Sequence, residues 1–257
     1  MQYLRVEKEQ YVATITIQHP PANALSSKVL KELSSLLDDL EHNREVRVIV
    51  MHGEGKFFSA GADIKEFTTV ENGIEFSKLA KRGQQLFERI ETYSKPVIAA
   101  IHGAALGGGL ELAMACHLRL VTEDAKLGLP ELQLGLIPGF AGTQRLPKYV
   151  GTERAIEMLL TSEPITGKQA VEYGLASRTV SEVKLLAEAK KLAEKFASKS
   201  PISVRATIDL LNAAKPPSYH DAVTKESDYF GEVFESADAK EGIQAFLEKR
   251  KPYFKGE

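Results

Sequence analysis

Three short runs rich in β-branched residues, separated by stretches whose apolar residues recur at helical spacing, constrain this chain more than anything else in it. YVATITI (11–17) and VRVIVMHG (46–53) read as strands. KPVIAAIHG (95–103) is nearly all apolar and ends in glycine, which suits a strand buried on both faces. Between them Leu30, Leu33, Leu37 and Leu40 fall on one helical face, with Ser26 or Ser27 as the N-cap. Phe76, Leu79, Ala80, Gly83, Phe87 and Ile90 make a second stripe. Each such helix must bury its stripe on a neighbouring layer, so the alternation predicts an α/β core.

After about residue 150 the pattern turns helical. Thr152 precedes a helical stretch carrying Ala155, Ile156, Leu159 and Leu160. Thr166 and Gln169 have capping-box spacing, and Gly174 sits where that short helix should stop. Leu185, Leu186, Ala189, Leu192, Ala193 and Phe196 share one face. Ser200-Pro201 restarts a helix in the favoured cap-then-proline order, Pro216-Pro217 breaks it, and Asp238 and Glu241 open a last helix expected to run to Pro252. A helical end of this kind serves either to cover its own core or to pack on another subunit, and the pattern leaves both open.

Composition excludes several classes. The chain has 257 residues, 43% hydrophobic and 26% charged, and a formal net charge of -2. That balance argues against a disordered chain and against wholesale nucleic-acid binding. One cysteine, Cys116, cannot form an internal disulfide or a Cys-rich zinc site. No apolar run is long enough to cross a membrane, and MQYLRVEKEQYVATITI has neither the h-region nor the cleavage site of a signal peptide. The expectation is a cytoplasmic protein with no membrane and no nucleic-acid partner.

Several motifs are missing. There is no GxxxxGK[ST] phosphate loop and no GxGxxG after a strand. Ser59, in FFSAG, lacks the first glycine of a nucleophile elbow. None of the six histidines has HxxxH spacing, so no metal site is expected.

The richest stretch is 95–145. Gly107-Gly108-Gly109 follows a strand and opens a helix at Leu110-Glu111-Leu112-Ala113. Three glycines there are costly in backbone entropy. They fit either a tight, closely packed turn or a place where outward-pointing helix-start amides hold an oxyanion or a phosphate. Glu111 and Glu131 both sit among apolar residues, where desolvation raises a carboxyl pKa and suits it to general acid–base work. The plainer alternatives are a helix-dipole carboxylate for Glu111 and an exposed turn residue for Glu131. A third small-residue stretch, Phe58 to Lys65, is weak by itself.

Taken together, SAGADIKEF, HGAALGGGLELAMACHLRL, LGLPELQLGLIPGFAGTQRLPKYVG and GIQAFLEKRKPYFK closely resemble, in order and spacing, the crotonase (enoyl-CoA hydratase/isomerase) superfamily. The resemblance covers nearly the whole chain. It implies an α/β fold, the crotonase (ClpP/crotonase-like) spiral of ββα units, over residues 1–195. It implies a C-terminal helical trimerisation region over 196–257, and a homotrimer or homohexamer. It also implies an acyl-CoA substrate, with no cofactor beyond the coenzyme A of that substrate and no metal.

The resemblance assigns the oxyanion hole to the backbone amides of Ala62 and Gly108. Their hydrogen bonds strengthen as charge gathers on the thioester oxygen, and losing one such donor costs about 2.7–4 kcal/mol. Family members that hydrate a double bond resemble this chain in carrying glutamate at both positions, with Glu111 as base, Glu131 as acid and the Gly139 backbone orienting the water. Ala22, Ala24, Ala60, Ala62, Asp63, Ile64 and Lys65 match regions that line CoA. Phe246 and Lys249 match C-terminal positions that reach CoA from a neighbouring subunit. Phe140 is bulky where many relatives have a small residue, which bears on acyl-chain length. The implied activity is enoyl-CoA hydratase of the fatty-acid β-oxidation type. The alternatives are a methylglutaconyl-CoA or other branched enoyl-CoA hydratase, an enoyl-CoA isomerase, and an RNA-binding protein. The short basic cluster Lys249-Arg250-Lys251 gives the last little support.

Overall fold

A computed structural model describes residues 1–213, 215, 216 and 218–255. The strands are β1 (Leu4–Glu9), β2 (Val12–Ile17), β3 (Val48–Gly53), β4 (Val97–Ile101), β5 (Ala104–Leu106), β6 (Leu118–Val121), β7 (Lys126–Gly128), β8 (Ile165–Thr166) and β9 (Arg178–Thr179). Six of them form one sheet in the order β1-β2-β3-β4-β6-β9, antiparallel between β1 and β2 and parallel elsewhere. A small second sheet, β5-β7-β8, stands beside it.

The helices are α1 (Ser27–Glu41), α2 (Ile64–Phe67), α3 (Gly73–Glu91), α4 (Gly108–Ala115), α5 (Gly142–Val150), α6 (Thr152–Thr161), α7 (Gly167–Glu172), α8 (Glu182–Ala197), α9 (Pro201–Ala213), α10 (Ser218–Phe234) and α11 (Ala237–Glu248). The central strands are buried on both faces, and their period of two sorts side chains between two cores. Val48 and Val50 of β3 and Ile98 and Ala100 of β4 meet Leu185, Ala189, Ala193 and Ala197 of α8. Ile49, Met51, Ala99 and Ile101 point the other way, into the core that also buries Leu33, Leu37 and Leu40 of α1 and Phe87 of α3. This is the α/β architecture with a helical C-terminal end.

A third cluster fastens the end of the chain to its middle. Phe76 of α3 stacks on Phe230 and Phe234 of α10, with ring centroids 4.3 and 3.9 Å apart, and Ala239 and Ile243 of α11 join them. The helices approach closely because two glycines face each other. A Cβ on Gly73 would lie 2.3 Å from the Gly231 carbonyl oxygen, and one on Gly231 would lie 2.4 Å from that of Gly73.

Several local expectations meet the structure directly. Ser26 caps α1 and accepts from the Val29 amide. Thr166 and Gln169 make both capping-box bonds of α7. Pro216 lies between α9 and α10, while Pro217 lies outside the described residues. The last helix does not reach Pro252. It starts after Ser236, whose side chain accepts from the Ala239 amide, and ends at Glu248, because Lys249 turns to a left-handed backbone (φ 56°). β2, β3 and β4 were anticipated from the sequence, whereas β1, β6, β9 and the small sheet were not. Among the described residues no helix is long and apolar enough to cross a membrane.

Candidate active site

From Phe58 to Asp63 the loop after β3 is stitched into place by hydrogen bonds that leave one amide over within the described residues. Ser59 bridges to Ala105 of β5, and Leu25 bridges to Ala62. The Ala60 amide donates to the Ala22 carbonyl (2.9 Å), the Gly61 amide to Ser59 Oγ (3.3 Å) and the Asp63 amide to the Leu25 carbonyl (3.4 Å). Ala62 lies among these paired amides, and its own N–H donates to no partner within the described residues. The Asp63 side chain caps α2 by accepting from the Lys65 amide (3.1 Å).

The second unpaired amide comes from the glycine triplet. Gly107 takes φ 50° and ψ -130°, a conformation that glycine tolerates, and α4 starts at Gly108. The Gly107 amide is spent on the Gly128 carbonyl (2.9 Å), whereas the Gly108 amide donates to nothing within the described residues. A Cβ built on Gly108 would lie 3.4 Å from the Ala62 nitrogen, and one on Gly61 would lie 3.6 Å from the Gly108 nitrogen. The two amides therefore adjoin. The first turn of α4 adds partial positive charge, which together with the amides suits an oxyanion.

Both amides border a cavity of about 460 Å³, and so do Glu111 and Glu131. Glu111 is buried in the first turn of α4. Its Oε1 accepts from the Phe140 amide (2.8 Å) and the Gly142 amide (2.7 Å). Glu131 begins a 3-10 turn, Glu131–Leu134. Its Oε2 is buried with no hydrogen-bond partner within the described residues. Burial, followed by the negative charges of Glu131 and Glu226, raises Glu111 well above the usual carboxylate range, against the two amides that stabilise its ionised form. Burial also pushes Glu131 up to about 8, with Glu226 adding to it. Carboxyls in this state can hold and exchange a proton near neutral pH.

The cavity gathers the other expected residues as well. Ala22, Ala24, Ala60, Asp63, Ile64, Lys65 and Gly139 line it, and Phe246 borders it from α11 of this same chain. Lys249 is the exception. It caps α11 in the left-handed turn and does not border the cavity of its own chain; the contact expected of it is with the CoA of a neighbouring subunit.

Sequence reasoning missed the apolar walls and one carboxylate. Phe67, Leu79, Leu136 and Phe230 line the cavity beside Phe140. Glu226 of α10 is buried behind Glu111. It accepts from the amides of Ala141 and Thr143 and from Thr143 Oγ1. Burial pushes it up to about 7, against those donors. A signal was present: Glu226 shares the buried face of its helix with Tyr219, Phe230 and Phe234. Among the described residues no group of three or more His, Cys, Asp or Glu could hold a metal ion.

Comparison with known proteins gives one family. The enoyl-CoA hydratase/isomerase family model matches residues 7–257. A Bacillus subtilis protein named "Probable enoyl-CoA hydratase" is 60% identical over 258 aligned positions, covering 100% of both chains. The short-chain-enoyl-CoA hydratase of Clostridium acetobutylicum is 41% identical, covering 96% of this chain and 95% of its own. A crystal structure of an enoyl-CoA hydratase from Bacillus anthracis superposes with a TM-score of 0.80 at 38% identity, covering 100% of both chains. An enoyl-CoA hydratase/isomerase from Xanthobacter autotrophicus Py2 gives a TM-score of 0.88 at 28% identity, covering 96% of this chain and 97% of its own.

Proposed function

The chain belongs to the enoyl-CoA hydratase/isomerase family, the crotonase superfamily, and from that premise we infer that Glu111 and Glu131 carry its chemistry. It is an enoyl-CoA hydratase, a hydro-lyase that adds water across a trans-2-enoyl-CoA to give 3-hydroxyacyl-CoA. The observation that carries the residue assignment is that both glutamates and two undonated amides border one cavity.

In this reading the substrate thioester oxygen takes the N–H groups of Ala62 and Gly108. Glu111 accepts a proton from water as the water oxygen bonds to C3. The C2–C3 π electrons move toward the thioester oxygen, and Glu131 returns a proton to C2. The amides favour the transition state because negative charge on that oxygen is greatest there. Glu111 suits the base because two backbone N–H groups pin its Oε1 and favour its ionised form. Glu131, raised and with a bare oxygen, suits the acid. The pair shares its protons and titrates as a unit. The Gly139 backbone orients the water. The mouth formed by Ala22, Ala24 and Lys65 receives the CoA moiety, with Lys65 suited to its phosphates.

Assembly follows from the apolar surface that the fold leaves uncovered. Ile202, Leu210 and Leu211 of α9 and Ile156 and Leu160 of α6 are all exposed. We assign them to contacts between copies in a homotrimer or homohexamer, made by the C-terminal region over 196–257 together with α6 of the spiral core. Light scattering on purified protein tests this, and a monomer at micromolar concentration would reject it.

Loss of the conjugated enoyl-thioester absorbance of crotonyl-CoA measures the reaction. Glu111→Gln and Glu131→Gln each lower kcat roughly 10²–10⁴-fold while the protein stays folded. Full activity in either variant would reject the assignment.

A further inference from the structure

Four consecutive amides at the start of α5 are shared alternately between two buried carboxylates. Phe140 and Gly142 donate to Glu111, while Ala141 and Thr143 donate to Glu226. Building on the assignment of Glu111 as base, we propose that Glu226 is a positioning residue for the hydration, seating the turn Phe140–Thr143 so that Glu111 is held in its working direction.

Glu226 does not border the cavity, so it acts through the turn and not on the substrate. The turn needs holding. Ala141 sits at its centre with φ 67°, a left-handed conformation unfavourable for a residue with a Cβ. Three donors converge on Glu226 from this turn: two amides and the Thr143 hydroxyl. A carboxylate accepts all of them, whereas a side-chain amide would set N–H against N–H at one of its two atoms. Gln84 of α3 completes the seat. Its Nε2 donates to the Gly139 carbonyl (3.1 Å) and, more weakly, to Glu226 Oε1 (3.4 Å). Arg145 of α5 holds the Phe140 carbonyl from the other side (2.6 Å).

The arrangement has an electrostatic cost that a purely structural prop would avoid. The negative charge of Glu226 acts on Glu111 of α4 and Glu131 of the 3-10 turn, so three buried carboxyls repel one another. Arg145 is the cation acting on Glu226, and Tyr219 of its own helix is the remaining titratable neighbour. Negative charge on Glu226 makes both glutamates of the pair hold protons more tightly. The residue that orients the base thus also sets the pH range over which the pair works.

The test measures kcat and KM for crotonyl-CoA against pH in wild type, Glu226→Gln, Glu226→Asp and Glu111→Gln. In Glu226→Gln, kcat falls about 10–100-fold, the scale of a small misplacement of a catalytic group, while KM changes by less than about twofold. Both limbs of its pH profile move to lower pH, because the carboxyls of the pair ionise more easily once the neighbouring charge is gone. Glu226→Asp keeps the charge, so its kcat falls while its limbs stay near those of wild type. Wild-type kcat in Glu226→Gln, or a loss that tracks the unfolded fraction with the limbs unmoved, overturns the proposal. If Glu226→Gln does not fold, Thr143→Val keeps the backbone amides and removes the hydroxyl, which donates to Glu226 and accepts from Gln144 Nε2 (2.9 Å). It lowers kcat several-fold at unchanged KM, and wild-type kcat there overturns the proposal equally. Full activity in Glu111→Gln would remove the proposal and the assignment beneath it together. An inactive Glu111→Gln beside a wild-type-like Glu226→Gln would remove the proposal alone.

Discussion

Gly83 of α3 vacates the space that Phe140 fills: a Cβ on Gly83 would lie 2.3 Å from Phe140 Cε1. The ring leans edge-on against Phe87, with centroids 5.2 Å apart, and reaches to 3.2 Å from where a Cβ on Gly108 would sit. It therefore forms a wall of the cavity next to Gly108, and under the proposed function this wall bounds the acyl end. Phe140→Ala opens the wall. Relative to crotonyl-CoA, kcat/KM for a longer enoyl-CoA rises by about tenfold or more, since each added methylene contributes about 1–3 kcal/mol in an apolar pocket. The variant also loses about 3–5 kcal/mol of stability. A substrate panel of increasing chain length and a denaturant titration measure the two effects.

Gly142 leaves room for the Glu111 carboxyl. A Cβ there would lie 2.7 Å from Glu111 Oε1 and 2.9 Å from Pro138 Cβ. Gly142→Ala therefore pushes the carboxylate off its two amides. The expected outcome is a kcat lower by about 10²-fold, the scale of a misplaced catalytic group, with the circular dichroism spectrum of the folded protein. An alanine variant as active as wild type would show that Glu111 works from a different position.

Stability should fall as the solution becomes more alkaline, and Glu131 is one reason. Its folded pKa, near 8, lies above its unfolded value. The folded state therefore binds more protons between those two values, and each rise in pH across the window favours unfolding. Glu131→Gln removes this contribution. Its gain in melting temperature over wild type is small in mild acid and grows until the pH passes about 8, the folded value of Glu131. Scanning calorimetry at a series of pH values reads the slope, and a gain independent of pH would contradict it. Glu91 works with the opposite sign. Burial raises its pKa, but Arg145 and Lys215 outweigh burial and hold it below the usual range, so its contribution is lost as pH falls.

Cys116 is buried, and its Sγ donates to the Leu112 carbonyl (3.4 Å). Burial pushes its thiol up to about 12, against the nearby charge of Arg119 and Arg145. Thiolate is the reactive form, so thiol reagents should leave the folded enzyme unmodified and active. Modification should appear only with denaturant, and rapid labelling of native protein would refute this.

What could be read from the sequence divides along a physical line. β2, β3 and β4 were legible because burial leaves unbroken apolar, largely β-branched runs, as in VIVM of β3. β1 was not, because LRVEKE is an edge strand whose outward residues are charged. The β5-β7-β8 sheet has strands of two or three residues, too short to show any period. Glu111 and Glu131 were legible as carboxylates among apolar neighbours in sequence. Glu226 lies in TKESD, which reads as solvent-facing, and only the turn of α10 sets it among aromatic side chains.

The seam of stacked phenylalanines between α3 and α10 also orders events during synthesis. Both glutamates and both oxyanion amides have been translated well before Phe230, yet the wall to which Phe230 belongs comes from the chain's last stretch. A nascent chain stalled ahead of α10 would hold every reacting group in a cleft open to water. Competence would then arrive late and all at once, when the final helices leave the ribosome and dock.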